Sequence, residues 1–377
     1  MSVYMLIVSA YMLFCGCSAE SKSDDLGPMR VLIADGKSSC SLSSKGKIAI
    51  LRFSSRRGLF SGELSDPITL KYSSKGIIAG DKLYKVDALL IKPHSGADVR
   101  LNGRTYRGAL SVHKNEGTLT VVNYVEVEDY VKGVMANEMV PSWDEEALKA
   151  QAVVARSFAI YHILRYPDRI YNIESSKIQY KGKDTENPRT SKAVDATRGE
   201  VLYFNNSLLL PHFSSSCGGH TEYAGNVWEA RFAFPKPVPC PYCRNTKEFD
   251  WSVTLSKSSV EKRLRSVGID VSDMKAVLPH RKSTFGGRLT HLTIRHGNGN
   301  RTVRINEFRL ALGPDIIRSG FLTIENKRDE ITFSGKGWGH GVGMCQHGAK
   351  AMGDIGYSYE AILSYYYPGT KMKRIKY

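Results

Sequence analysis

The stretch EVEDYVKGVMANEMVPSWDEEALKAQAVVARSFAIY, residues 126–161, decides how the rest of the chain is read. One of its carboxylates, Glu138, lies in the apolar run Val134-Met135-Ala136-Asn137-Glu138-Met139-Val140, with no basic neighbour in sequence. A carboxyl set among apolar side chains has its pKa raised, which suits it to donate a proton near neutrality. Pro141 breaks the run. Ser142 is the expected N-cap of a helix, with Glu145 completing a capping box and Asp144-Glu145-Glu146 at the positive helix end. From Ala147 onward Leu148, Ala150, Ala152, Val153, Ala155, Phe158 and Ala159 predict a closely packed helix. Its polar residues Gln151, Arg156 and Ser157 are candidate substrate contacts.

Five segments follow one another in a telling order: VEDYVKG (127–133), NEM (137–139), EALKAQAVVAR (146–156), ATRGEVL (196–202) and GWGHGVGMCQ (337–346). Together they resemble the stage II sporulation protein D (SpoIID) family of peptidoglycan lytic transglycosylases, from about Met29 to the C-terminus. The resemblance implies that the family's catalytic glutamate is Glu138. The implied reaction cuts the β-1,4 bond between N-acetylmuramic acid and N-acetylglucosamine and leaves 1,6-anhydro ends. Two other readings stay open: a non-catalytic wall-binding protein that stimulates an amidase, and a zinc amidase acting on the peptide stem.

The chain has 377 residues, 42% hydrophobic and 24% charged, as expected of a folded protein of about two domains. Its net charge of +16 calls for a polyanionic partner. No helix-turn-helix, zinc-finger or RNP-like pattern supports nucleic acid, and a cell-wall polymer suits the charge equally well. Residues 3–16, VYMLIVSAYMLFCG, form an apolar run short for a membrane span. With Cys15-Gly16-Cys17-Ser18-Ala19 after it, residues 1–28 resemble a signal peptide or lipoprotein leader and linker, Cys17 being the lipid-bearing residue. The expected location is outside the cytoplasm, at a bacterial membrane's outer face or in the periplasm. An uncleaved anchor is the alternative.

Alternating segments at 29–35, 46–53, 68–72, 76–78, 88–92, 108–113 and 119–124 predict a β-rich amino-terminal region over 29–115. Residues 116–377 are the expected catalytic domain, with helices at 191–197, 256–267, 306–312 and 358–367 among strands. Residues 171–182 read as a polar, aromatic loop. The fold class is α+β, with mixed helices and antiparallel strands.

Leaving out Cys15 and Cys17, five cysteines remain, an odd number that argues for metal rather than a disulfide framework. Cys217-Gly218-Gly219-His220 and Cys240-Pro241-Tyr242-Cys243 form two short chelating pairs suited to tetrahedral Zn²⁺. His212 competes with His220 as fourth ligand, and a Cys240–Cys243 redox pair is the metal-free reading. The SpoIID resemblance implies zinc near the Cys-Gly-Gly segment in some members and not in others. The expected role is structural or site-shaping. In residues 335–344, GKGWGHGVGM, alternate glycines allow close backbone approach to a ligand, or a tight turn packed beneath a sheet. Trp338 is a candidate sugar platform, and His340, Gln346 and His347 are candidate hydrogen-bonding partners of sugar groups.

Overall fold

A computed structural model describes residues 26–228, 233–247 and 249–377. The leader and Cys17 lie outside these residues. The fold is α+β and divides into two compact units. The first comprises residues 26–203 with 208–210 and 372–377; the second comprises 204–207 and 211–371. Among the described residues, no helix is long and apolar enough to cross a membrane.

The first unit holds two sheets. The seven-stranded one runs, in spatial order, Ile173–Glu174, Met29–Lys37, Thr118–Val125, Ala109–Asn115, Ala88–Pro93, Ile48–Arg52 and Gly58–Gly62. The six-stranded one runs Arg104–Tyr106, Asp98–Leu101, Ser39–Lys45, Ile68–Ser73, Gly76–Ala79 and Lys82–Tyr84. The interior strand Thr118–Val125 is buried along most of its length, Leu119, Val121, Val122 and Val125 together with the polar Thr120 and Asn123. It pairs with Met29–Lys37 on one side and with Ala109–Asn115 on the other. The hairpin of Ala109–Asn115 and Thr118–Val125 spans 115/116, the boundary expected between the amino-terminal region and the catalytic domain.

Three helices complete this unit: α1 (Val127–Glu138), α2 (Glu145–Arg165) and α3 (Pro188–Ala196). Helix α2 is buried around almost its whole circumference, and its alanines at 147, 150, 152, 155 and 159 let neighbours approach closely. Its N-cap is Asp144, whose carboxylate accepts the Glu146 N–H, and not Ser142. Ser142 is spent in the turn closed by Trp143 N–H donating to the Val140 carbonyl. Glu145 faces Lys149 and Lys192 instead of closing a capping box.

The second unit carries two three-stranded antiparallel sheets. Asp250–Ser256, Glu330–Lys336 and Leu322–Asn326 form one; Ala276–Lys282, Leu289–His296 and Gly299–Arg304 form the other. Helices α4 (Ala224–Trp228), α5 (Lys257–Arg265), α6 (Ile305–Leu312), α7 (Gln346–Asp354) and α8 (Tyr359–Tyr366) accompany them. One apolar core, including Val260, Leu264, Phe308 and Phe333, joins α5 and α6 to both sheets. A short parallel pair, Phe213–Ser214 with Met344–Cys345, ties the glycine-rich stretch to the segment before Cys217.

Candidate active site and cysteine centre

Glu138 is the last residue of α1. Burial raises its pKa; the Gln179 backbone N–H and the Lys181 cation oppose that shift without cancelling it. Ending a helix adds to the effect, because the partial negative charge of the C-terminal carbonyls disfavours a second negative charge there. The loop at 171–182 is thus part of the site. It is fixed from below by Asn123, buried in the interior strand Thr118–Val125, which accepts from Tyr180 Oη at 2.5 Å and donates to the Arg107 and Ala109 carbonyls. The Tyr180 ring stacks on Tyr130 of α1 at 5.4 Å. A Cβ at Gly133 would meet that ring at 2.8 Å, so glycine in mid-helix is what lets Tyr180 lie against α1. The neighbouring Asn137 donates to Thr185 Oγ1 at 2.8 Å.

Four acids near Glu138 in sequence are engaged elsewhere. Glu128, 4% exposed, takes both ends of the fully buried Arg156 guanidinium at 2.8 and 2.9 Å. It also accepts from Gly199 N and Tyr377 Oη. Arg156 reaches further, to the Val194 and Glu200 carbonyls and Thr197 Oγ1. Burial alone would raise the Glu128 pKa, but Arg156, Tyr377 and Gly199 together hold it below the usual value. Asp144 caps α2, and Glu145 and Glu146 face Lys149.

The three candidate substrate contacts on α2 are all fully buried. Arg156 is a structural cation. Ser157 donates to the Val153 carbonyl and accepts from Leu202 N, and Gln151 is fully buried in the same core. Of the three in the second unit, Gln346 is 6% exposed at the start of α7. His340 accepts the Val342 N–H on Nδ1 and is also hydrogen-bonded by the Phe213 backbone. Burial keeps its pKa well below the usual value, so the ring is neutral. Trp338 and His340 both stay partly open, and one face of Trp338 already carries the Arg318 guanidinium at 4.8 Å from its centre.

The glycines of residues 335–344 serve internal packing. A Cβ at Gly343 would sit 2.0 Å from the His212 carbonyl oxygen, and one at Gly337 would sit 2.5 Å from that of Ser216. Both have positive φ.

That close pairing delivers Cys345 to the cysteines. The Sγ atoms of Cys217, Cys240, Cys243 and Cys345, all buried, lie within 4.8 Å of one another. His220 is not among them. Its Nδ1 bonds the Thr221 carbonyl at 2.7 Å, and the positive-φ turn Gly218–Gly219 leads it away toward Gly286. Cys217 and Cys243 sulfurs stand 3.7 Å apart, far beyond a disulfide bond and close to the edge of about 3.8 Å in a tetrahedron of Zn–S bonds. Burial holds the Cys217 and Cys345 thiols well above their usual pKa, while thiol contacts, Cys217 first, pull Cys243 and Cys240 down. A cluster of this kind can hold a metal ion. Gly348 makes room for it, since a Cβ there would strike Tyr366 Oη and Cys240 Sγ.

Comparison with known proteins decides the family. Residues 115–204 match the family described as Stage II sporulation protein, SpoIID, and residues 242–343 match a domain of unknown function, DUF8618. The chain is 32% identical to an uncharacterised protein of Brachyspira hyodysenteriae, over 91% of this chain and 92% of that one. It is 28% identical to Stage II sporulation protein D of Bacillus subtilis, over 67% and 75% respectively. The chain belongs to the SpoIID family. A further SpoIID relative, the amidase enhancer of Bacillus subtilis, is 29% identical over 64% of this chain but only 40% of its own length. Glu138, the Tyr130–Tyr180 stack and the Glu128–Arg156 pair all fall inside the SpoIID-matched segment. The cysteine centre lies outside it.

Proposed function

We propose that this SpoIID protein is a peptidoglycan lytic transglycosylase acting outside the cytoplasm. The observation that carries this reading is Glu138: a carboxyl of raised pKa at a helix C-terminus, held by the Gln179 N–H. Protonated Glu138 would give its proton to the glycosidic oxygen as the N-acetylglucosamine side leaves. Its carboxylate would then take the proton of the C6 hydroxyl of N-acetylmuramic acid as that oxygen bonds to C1, closing the 1,6-anhydro ring. The nucleophile belongs to the substrate, so one carboxylate suffices where hydrolytic glycosidases use two. The commitment of Glu128, Asp144, Glu145 and Glu146 to ion pairs and a cap agrees with a single acid–base.

A second reading is favoured by the resemblance to the amidase enhancer: wall binding without cleavage, in the service of an amidase partner. Incubation with glycan strands stripped of stem peptides separates the two. Soluble glycan fragments are expected from the protein alone. Fragments released only on intact wall, and only with an added amidase, would overturn the proposal.

We further propose that the four cysteines hold zinc, which would cross-link the segments around Cys217, Cys240–Cys243 and Cys345 and take no part in glycosidic cleavage. Purified protein is expected to carry about one zinc per chain. Cys345→Ser should lose the metal and His220→Ala should keep it, as read by elemental analysis. Metal-free protein with a Cys240–Cys243 disulfide would contradict the assignment.

A further inference from the structure

The second unit has two adjoining cavities that the proposed chemistry does not use. One, of about 410 Å³, is lined by Gly218, Gly219, His220, Arg244, Phe249 and Lys336 among others. The second, of about 610 Å³, includes Asp250, Ser252, Lys282, Thr323 and Ser334. Phe321 and Lys336 line both and mark where the two halves of this groove adjoin. Its size is that of a ligand site.

The charges are one-sided. Arg244, Lys282 and Lys336 are exposed and stand against a single carboxylate, Asp250, among the described lining residues. The walls offer what a sugar chain uses. Phe321 carries Arg288 on one side of its ring at 5.7 Å, and Lys336 Nζ lies 5.6 Å from the centre of Phe249. Ser252 and Ser334 join hydroxyls at 2.8 Å across neighbouring strands. Gly218, Gly219, Gly286 and Gly287, all at positive φ, leave the floor as bare backbone. Gly286 has no substitute there, because a Cβ would meet His220 at 2.6 Å.

Three spaced cations with hydroxyls and an acid between them suit a chain carrying scattered carboxylates. They suit poorly the continuous phosphate charge of nucleic acid, which is bound through many phosphate contacts. We propose that this groove, most of it in the region matching the domain of unknown function, binds the carboxylates of a peptidoglycan strand through side chains of the second unit that the Glu138 chemistry does not use. This rests on the wall-polymer reading above.

The test is co-sedimentation with sacculi freed of teichoic acid, at physiological salt. Arg244→Ser/Lys282→Ser/Lys336→Ser is expected to bind about tenfold more weakly, the sum of three modest exposed charge contacts. Lys71→Ser/Lys85→Ser/Lys92→Ser, an equal charge change on exposed lysines of the first unit, should bind within about twofold of wild type. Amidating the carboxylates of the sacculi should cost the wild-type protein a similar factor, a readout independent of how the variants fold. Raising salt should weaken wild-type binding, because exposed charges are screened over about 8 Å at physiological ionic strength. Equal binding by both triple variants, binding unaffected by amidation, or preferential binding to single-stranded DNA in competition would each overturn the groove assignment. Wild-type protein that fails to sediment would overturn the wall reading and the groove with it.

Discussion

Glu138→Gln is expected to lower turnover of stripped glycan by about 10²–10⁴-fold, the range general acid–base catalysis contributes. The amide keeps the size of the side chain and can still meet the Gln179 N–H, so glycan binding should survive. It carries no carboxyl proton to donate and cannot take one up as a base. In the wild-type protein the acid form is required first, and the Glu138 pKa is raised by burial. Activity should therefore fall as pH rises through that raised value, and the alkaline limb of the pH profile should vanish with the residue. Wild-type turnover by Glu138→Gln would remove this carboxylate from the mechanism.

Arg156→Met is expected to destabilise the first unit by about 3–5 kcal/mol, because it leaves the Glu128 carboxylate buried and unpaired. Three other hydrogen-bonding partners, two of them backbone carbonyls, would lose their donor as well. The double variant Glu128→Gln/Arg156→Met should unfold at a higher temperature than Arg156→Met alone, since it removes the stranded charge. The same pair gives a pH signature. The folded pKa of Glu128 is depressed, so its stabilisation is fully present above the unfolded carboxyl value of about 4.3 and is lost as pH falls from there through the lower folded value. Thermal unfolding of the single and double variants checks this. An Arg156→Met protein as stable as wild type would contradict the structural role.

Much of the first unit was legible in residue pattern. Strands such as Met29–Lys37 and Ala88–Pro93 stand out as short apolar runs, and the alanine-rich face of α2 announces close packing. Strands of the six-stranded sheet were less visible: Lys82–Tyr84 and Arg104–Tyr106 have three residues each and take their conformation from their neighbours. Helix α1 carries little local signal, because Glu126 makes no side-chain cap and Gly133 sits within it for the sake of Tyr180.

At the candidate sites, local reading ran out wherever a partner was distant in sequence. Arg156 in an apolar run reads as a substrate contact until Glu128, 28 residues earlier, is brought against it. The Cys-Gly-Gly-His spacing favours His220 as a ligand, yet Cys345 reaches the cluster from 128 residues beyond Cys217. The odd count of five cysteines was the available clue: Cys40 lies in a strand of the first unit, which leaves four. Glu138 was legible because its apolar setting is written in its immediate neighbours.

The most direct measurement is mass spectrometry of the glycan ends made by the purified protein from stripped strands. The proposed mechanism predicts 1,6-anhydro-N-acetylmuramic acid at every new end, absent with Glu138→Gln. New ends that are reducing sugars, formed by water, would contradict it.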